Sequence, residues 1–295
     1  MTPLSFAGAH TALITPFRDG AVDETALINL IELQIKAGIS GVVPVGTTGE
    51  SPTLSHAEHC RVIEITVTAA AGRLLVIAGT GSNATSEAVE LTQEAEKLGA
   101  DAALLVAPYY NKPSPEGIYR HFKAVADAVS IPIILYSIPG RCGIEIPVSV
   151  AARLASDCPN IVAIKESGGS VERVNQLRAA LPADFEILSG DDSLTLPFMA
   201  AGAVGVISVA SNIIPAEIQE LVQSFFQGDL ETALMLQQRY YPLFRDLFIE
   251  PNPVPIKTAL AAKGLCTEDV RLPLCEMIQS NKEILLSTLH FLESL

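Results

Sequence analysis

Apolar runs of four to seven residues recur along the chain roughly every 30 residues, and between them the apolar positions shift to a spacing of three and four. Eight such runs can be marked, at Ala9–Thr15, Gly41–Val45, Leu74–Ala78, Ala102–Val106, Ile133–Tyr136, Val162–Lys165, Glu186–Ser189 and Val204–Ser208. Runs without inward/outward alternation read as strands buried on both faces. Between the first two, Thr25–Ala37 sets Leu27, Leu30, Ile31 and Gln34 on one helical face; Ser86–Leu98 repeats the pattern. Gly38, Gly72 and Gly99 stop three of the helices. Strict strand–helix alternation predicts a parallel sheet with right-handed crossovers, and eight units close it. The expected fold is α/β, a (β/α)8 TIM barrel over residues 1–212. Residues 213–295 read as helices only, with Pro215, Pro242, Pro251, Pro253, Pro255 and Pro273 at starts and bends. They form a C-terminal α-helical extension with no Gly/Ser-rich linker before it.

Composition narrows the chemistry. No uninterrupted apolar stretch approaches the 18 or so residues of a membrane span, although 49% of the 295 residues are hydrophobic. The start, Met1-Thr-Pro-Leu-Ser, lacks a basic segment and a long apolar segment, so a cytoplasmic protein is expected. Cys60, Cys142, Cys158, Cys266 and Cys275 are odd in number and form neither a CxxC nor a Cys/His cluster. Reduced thiols and no metal site are the reading. A formal charge of −14 without a local basic patch argues against nucleic acid and anionic membranes. Small molecules are the expected partners.

In such a barrel the chemistry sits where the strands end. Ile161-Val-Ala-Ile-Lys165 is an apolar run stopped by a cation and then a polar, glycine-containing turn. Burial disfavours an ammonium, and only the free amine attacks a carbonyl. The alternative for Lys165 is a lysine snorkelling to the strand rim. The second strand leads into Gly46-Thr-Thr-Gly-Glu-Ser51, which is either an ordinary turn or a carboxylate cradle of hydroxyls and accessible backbone N–H groups. The fourth leads into Pro108-Tyr-Tyr-Asn111, where adjacent tyrosines cannot face one way. The fifth ends in Tyr136 with Arg141 five residues on, a planar fork suited to a carboxylate or to a surface ion pair. The seventh leads into Ser189-Gly-Asp-Asp192, where Asp191 and Asp192 are expected to cap the next helix. Two carboxylates there would repel a phosphate, which disfavours pyridoxal phosphate and phosphorylated sugars.

Taken together, Gly46-Thr-Thr-Gly-Glu50, Ala78-Gly-Thr-Gly81, Pro108-Tyr-Tyr-Asn111, Leu135-Tyr136, Arg141, Ile164-Lys-Glu166, Ser189-Gly-Asp-Asp192 and Phe248-Ile-Glu-Pro-Asn-Pro253 resemble the class I pyruvate aldolase superfamily. Within it the chain is similar, nearly end to end, to the dihydrodipicolinate synthase family. That resemblance implies that Lys165 forms an imine with pyruvate, which becomes an enamine and attacks L-aspartate 4-semialdehyde on the diaminopimelate route to lysine. It implies a proton relay of Thr47, Tyr136 and Tyr110, with Tyr110 supplied by a neighbouring subunit of a homotetramer built as a dimer of dimers. Thr48 would hold the pyruvate carboxylate, Arg141 the semialdehyde carboxylate, and the backbone of Gly190 and Ile207 would line the pocket. No metal or organic cofactor is implied. Ser137 departs from the Asn usual after the tyrosine.

The same resemblance maps a feedback site for L-lysine onto Ser51, His56, His59, Asn83, Glu87 and Tyr109, with Glu87 pairing the ligand's ammonium. Pro52 departs from the small residue common there. The plainer alternative is that His56 and His59 are two polar residues on the solvated first turn of a helix begun by a Ser55/Glu58 capping box. Arg141 favours the synthase over sialic acid and 2-keto-3-deoxy sugar-acid aldolases. The remaining alternative is a non-catalytic ligand-sensing barrel.

Overall fold

The computed structural model of the chain describes residues 4–294. Met1–Pro3, the start of the N-terminal segment considered above, lie outside the described residues. Eight parallel strands close into a barrel. They are β1 (Gly8–Ala12), β2 (Gly41–Val43), β3 (Leu75–Gly79), β4 (Ala102–Val106), β5 (Ile133–Ser137), β6 (Ile161–Glu166), β7 (Glu186–Ser189) and β8 (Gly205–Ser208). Each pairs with its neighbours in the chain, and β8 returns to β1 through Gly8↔Gly205 and His10↔Ile207. The predicted barrel is therefore the observed one. No helix among the described residues is long and apolar enough to cross a membrane.

The helices form for local reasons that then lock into the barrel. Glu24–Ala37 starts where Asp23 accepts from Ala26 N at 2.9 Å and stops at Gly38, which turns left-handed at φ 76°. Its buried face includes Gln34. That side chain accepts from Thr11 Oγ1 at 2.7 Å and donates to Ser211 O at 3.1 Å, tying the helix to both sides of the closing seam. Helix His56–Ala70 carries the expected capping box of Ser55 and Glu58. It ends at Ala71, just before Gly72.

Two differences from the pattern-based reading matter for the site. β1 ends at Ala12, and β2 ends at Val43, just before Val45 turns to φ 49° and begins the loop. Just after β1 lies a hairpin, Phe17–Arg18 with Ala21–Val22, turning on Asp19 and Gly20, both at positive φ. An Asp-Gly pair is the local signature of such a turn. The hairpin places Phe17, almost fully buried, beneath two cations of the C-terminal region. Lys257 Nζ lies 4.1 Å and the Arg271 guanidinium 4.3 Å from its ring centroid.

Helix Pro215–Phe226 packs back on β1 and β8, and Leu230–Asp246, Val254–Ala262 and Gln279–Glu293 follow. The predicted boundary after Asn212 falls between a short turn, Ala210–Asn212, and the first of these helices. Pro215 and Pro255 stand in first turns, and Pro242 lies inside a helix. The extension is joined to the loop after β2 by an ion pair whose side chains are 0% and 1% exposed, between Lys257 Nζ and the Glu50 carboxylate. Lys257 also donates to Asp269 O at 2.8 Å, and Arg271 N donates to Glu50 Oε2 at 3.1 Å. Arg271 further grips Glu58, at 2.6 Å, and Thr53 O, at 2.9 Å. Its guanidinium holds the Glu58 carboxyl down at about 2.

Removing one member of a buried pair strands the other charge. Lys257→Met should cost about 3–5 kcal/mol in urea unfolding, whereas adding Glu50→Gln to it should cost less than the sum of the two single changes. Strictly additive costs would contradict a coupled pair.

Candidate active site

Lys165 stands at the C-terminal end of β6, paired in register with Tyr136 on β5 and Leu188 on β7. Only 6% of it is exposed. It does not snorkel: its Nζ lies 4.2 Å from the centroid of the Tyr136 ring. Glu166, next along the strand, points the other way, accepting from Arg173 Nε at 2.8 Å and Gly168 N at 2.7 Å. Burial raises the Glu166 carboxyl pKa against the pull of Arg173. A methyl group on Gly190 would come within 2.7 Å of Lys165 Cε, so the absence of a side chain there makes room for the lysine.

The Gly46–Glu50 loop turns tightly, with Glu50 N donating to Thr47 O at 3.1 Å and Ser51 N to Gly46 O at 3.2 Å. Val45 and Glu50, at φ 49° and 55°, bracket it in left-handed conformations that non-glycine residues adopt at a cost. A Cβ on Gly49 would stand 2.8 Å from Val45 N, so the loop closes only around glycine there. Thr15 Oγ1 donates to Gly49 O at 2.7 Å and anchors it to the end of the first barrel segment. Thr48 is buried.

A residue to which the sequence assigned no role joins two that it did. Asn252, in the C-terminal extension, donates from Nδ2 to Thr48 Oγ1 at 2.9 Å, and its carbonyl accepts from Arg141 Nη2 at 3.1 Å. Both candidate carboxylate-binding groups thus lean on one asparagine. The Phe248–Pro253 motif contained it, but no local pattern reports a contact 204 residues away.

A cavity of about 490 Å³ opens over this ground. Thr47, Tyr136, Arg141 and Asn252 line it, and so do Ser51, His56, His59, Glu87 and Tyr109. Lys165, Thr48, Gly190 and Ile207 are not in its walls; Lys165 lies behind Tyr136, and Ile207 is fully buried on β8. The second cluster is internally bonded. His56 Nε2 meets Glu87 Oε1 at 3.0 Å, Ser82 Oγ donates to the other Glu87 oxygen, and Asn83 Nδ2 donates to Tyr109 O at 3.1 Å. The Ser82 hydroxyl and the His56 ring lower the Glu87 carboxyl pKa. His56 is exposed as a first-turn residue should be, but His59 is not: it is 3% exposed and bonded to Gly79 O at 2.9 Å. Burial depresses its pKa. The two tyrosines diverge as predicted. Tyr109 faces the cavity, whereas Tyr110, at φ 73°, is 89% exposed.

The loop after β7 corrects one expectation. Asp191 accepts from Ser193 N at 3.0 Å and caps the short turn Asp192–Leu194. Asp192 does not cap. It is buried, and its Oδ2 accepts from Val209 N and Ala210 N, both at 3.0 Å, fastening this loop to the one after β8. Those two amides follow the neighbouring strand, 17 and 18 residues further along the chain, out of reach of a local reading. Burial pushes the Asp192 carboxyl up to about 6.

Comparison with known proteins agrees with this architecture. A family model described as the dihydrodipicolinate synthetase family matches residues 5–291. The chain is 53% identical to a 4-hydroxy-tetrahydrodipicolinate synthase of Aquifex aeolicus (strain VF5), covering 94% of each protein. Among solved structures it is similar to the 4-hydroxy-tetrahydrodipicolinate synthase of Methylacidiphilum fumariolicum SolV, with a TM-score of 0.97, 53% identity and coverage of 98% of this chain and 97% of that one. It is also similar to a dihydrodipicolinate synthase from Cyanidioschyzon merolae with lysine bound, with a TM-score of 0.95, 41% identity and coverage of 98% and 99%.

Asp192 makes stability depend on pH in a direction that can be worked out. Its folded-state carboxyl takes a proton near pH 6, whereas the unfolded chain's does so near 3.8. Between those values the native state binds more protons, so this group's contribution falls as pH rises from about 4 to about 6. Asp192→Asn keeps an acceptor for the two amides and should remove the slope. In urea unfolding from pH 4 to 7 the variant should gain on the parent across that window; a pH-independent difference would contradict the assignment.

Proposed function

Because the chain belongs to the dihydrodipicolinate synthetase family, we propose that Lys165 is the nucleophile of its reaction, the condensation of pyruvate with L-aspartate 4-semialdehyde to 4-hydroxy-tetrahydrodipicolinate. The reaction is a lyase-class step of the diaminopimelate route to lysine. The observation that carries the proposal is a buried amine against the Tyr136 ring, beneath a cavity that reaches Arg141. The free amine of a lysine is the form that attacks a ketone carbonyl.

The other roles follow from position. Thr48, tied to Asn252, binds the pyruvate carboxylate with help from the loop backbone. Thr47 and Tyr136, both in the cavity wall, pass protons between the substrates and solvent. Tyr110, directed away from its own cavity, completes that relay in a neighbouring subunit, which makes the active unit at least a dimer and, on the family pattern, a dimer of dimers. Gly190 admits the lysine side chain, and the Ile207 backbone completes the pocket. Arg141 is exposed, and among the described residues its side chain bonds only from Nη2 to Asn252 O, which keeps donors for the semialdehyde carboxylate. That charge distinguishes this substrate from the neutral polyhydroxylated aldehydes of related aldolases. The Ser51, His56, His59, Asn83, Glu87 and Tyr109 cluster is the feedback site for L-lysine, with Glu87 as the ammonium's partner; the lysine-bound Cyanidioschyzon merolae relative supports this.

One kinetic experiment separates these roles. Arg141→Ala should raise KM for the semialdehyde at least tenfold, the loss of charge-assisted hydrogen bonds, and leave KM for pyruvate nearly unchanged, while L-lysine still slows the variant. An equal loss for both substrates would contradict the role of Arg141, and indifference of the parent enzyme to L-lysine would remove the feedback site.

A further inference from the structure

One of the buried side-chain atoms without a hydrogen-bond partner among the described residues lies beside Lys165. Side chains alternate as the chain leaves β6: Lys165 faces the barrel interior, Glu166 turns outward to Arg173, and Ser167 returns to the side of Lys165. Its backbone is held on both flanks, since Ser167 N donates to Ser137 O at 2.9 Å and Gly190 N donates to Glu166 O at 2.9 Å. Its hydroxyl is not held. Ser167 Oγ is buried and has no hydrogen-bond partner among the described residues. A methyl group placed on Gly190 would overlap this oxygen and stand 2.7 Å from Lys165 Cε. The hydroxyl and the carbon that bears the reacting amine are therefore neighbours, side by side over Gly190.

A buried hydroxyl without a partner is unfavourable, and native structures rarely keep one without a reason. Alanine would fill the same position at no such cost. We propose that Ser167 contacts the substrate, its hydroxyl donating a hydrogen bond to the keto oxygen of pyruvate as Lys165 adds to the adjacent carbon. The proposal rests on the reading of Lys165 as the nucleophile.

The keto oxygen is the right partner on grounds of place and charge. The pyruvate carboxylate is assigned to Thr48 and its loop, which follow β2 on the opposite side of the barrel, whereas Ser167 arrives beside the lysine's own terminal methylene. It is also neutral, which suits an uncharged ketone. As the Nζ lone pair forms the C–N bond, the carbonyl π electrons move to oxygen. The two protons of the neutral amine end on that oxygen, which departs as water when the nitrogen lone pair closes the C=N bond. Ser167 finishes with the proton it began with. Its contribution is a donor already aimed at the oxygen on which charge builds, without reorganisation at the moment of reaction.

The test uses the full-length chain with Ser167→Ala and the near-isosteric Ser167→Cys, a much weaker donor. Both should lower kcat/KM for pyruvate roughly tenfold, the loss of one useful hydrogen bond, and leave KM for the semialdehyde within about twofold. Neither should melt below the parent, since an unpaired buried hydroxyl has been removed; Ser167→Thr, which restores the hydroxyl, should recover pyruvate use. Unchanged pyruvate kinetics in Ser167→Ala would overturn the proposal, as would an equal loss toward both substrates accompanied by a lower melting temperature. Borohydride reduction of the parent with pyruvate runs alongside. If the parent forms no adduct, the nucleophile reading fails; if it does and the variants match it in pyruvate dependence, only the Ser167 proposal fails.

Discussion

The buried Glu50–Lys257 pair is the interaction on which the site's geometry rests. Two charges in the protein interior are expensive to hold apart from water, and once paired they are expensive to separate. One end is the last residue of the Gly46–Glu50 turn, the other the helix Val254–Ala262. Whatever fixes that helix therefore fixes the turn that carries Thr47 and Thr48. Phe17 closes one side of the pair, and Arg271 the other, through its backbone N–H to Glu50. The C-terminal extension is in this sense part of the catalytic barrel. Asn252, just before the same helix, extends the arrangement to Thr48 and Arg141.

This division of labour separates what a sequence shows from what it conceals. The eight strands were legible because each is built around a short apolar run and the runs recur about every 30 residues, and Lys165 was legible because it ends such a run where a barrel opens. Gln34, polar on a helical stripe otherwise apolar, could be placed on the inner face by spacing alone, though not its partners Thr11 and Ser211. The hairpin at Asp19 and Gly20 carried a local signature but was obscured by a first strand read three residues too long. Asn252, Asp192 and the Glu50–Lys257 pair had no such signature. Their partners are distant along the chain, and a carboxylate or amide looks the same in sequence whether it meets water or a backbone N–H. His59 belongs to the same class. Its spacing from His56 suggested a shared solvated turn, whereas the barrel draws it inward to Gly79 O.

The cavity also bears on how chemistry and regulation share one region. Its walls include the proposed relay residues Thr47 and Tyr136 and the proposed lysine-sensing residues His56 and Glu87, with the turn from Glu50 to Ser51 between them. Tyr109 contributes to the wall and Tyr110 is directed to solvent, so a single loop after β4 serves the cavity with one residue and exposes the next. A ligand drawn to Glu87 would meet the same loop and the same turn that present the relay. The proposed sensing cluster and the proposed relay meet at the Glu50–Ser51 turn, which the buried ion pair and Asn252 hold in place.

The account stands or falls on the Lys165 nitrogen. An X-ray structure of the enzyme crystallised with pyruvate tests it most directly. Continuous electron density should join Lys165 Nζ to the former keto carbon, with the carboxylate against Thr48 and its loop. Pyruvate bound elsewhere, or held in the cavity without a bond to that nitrogen, would contradict it.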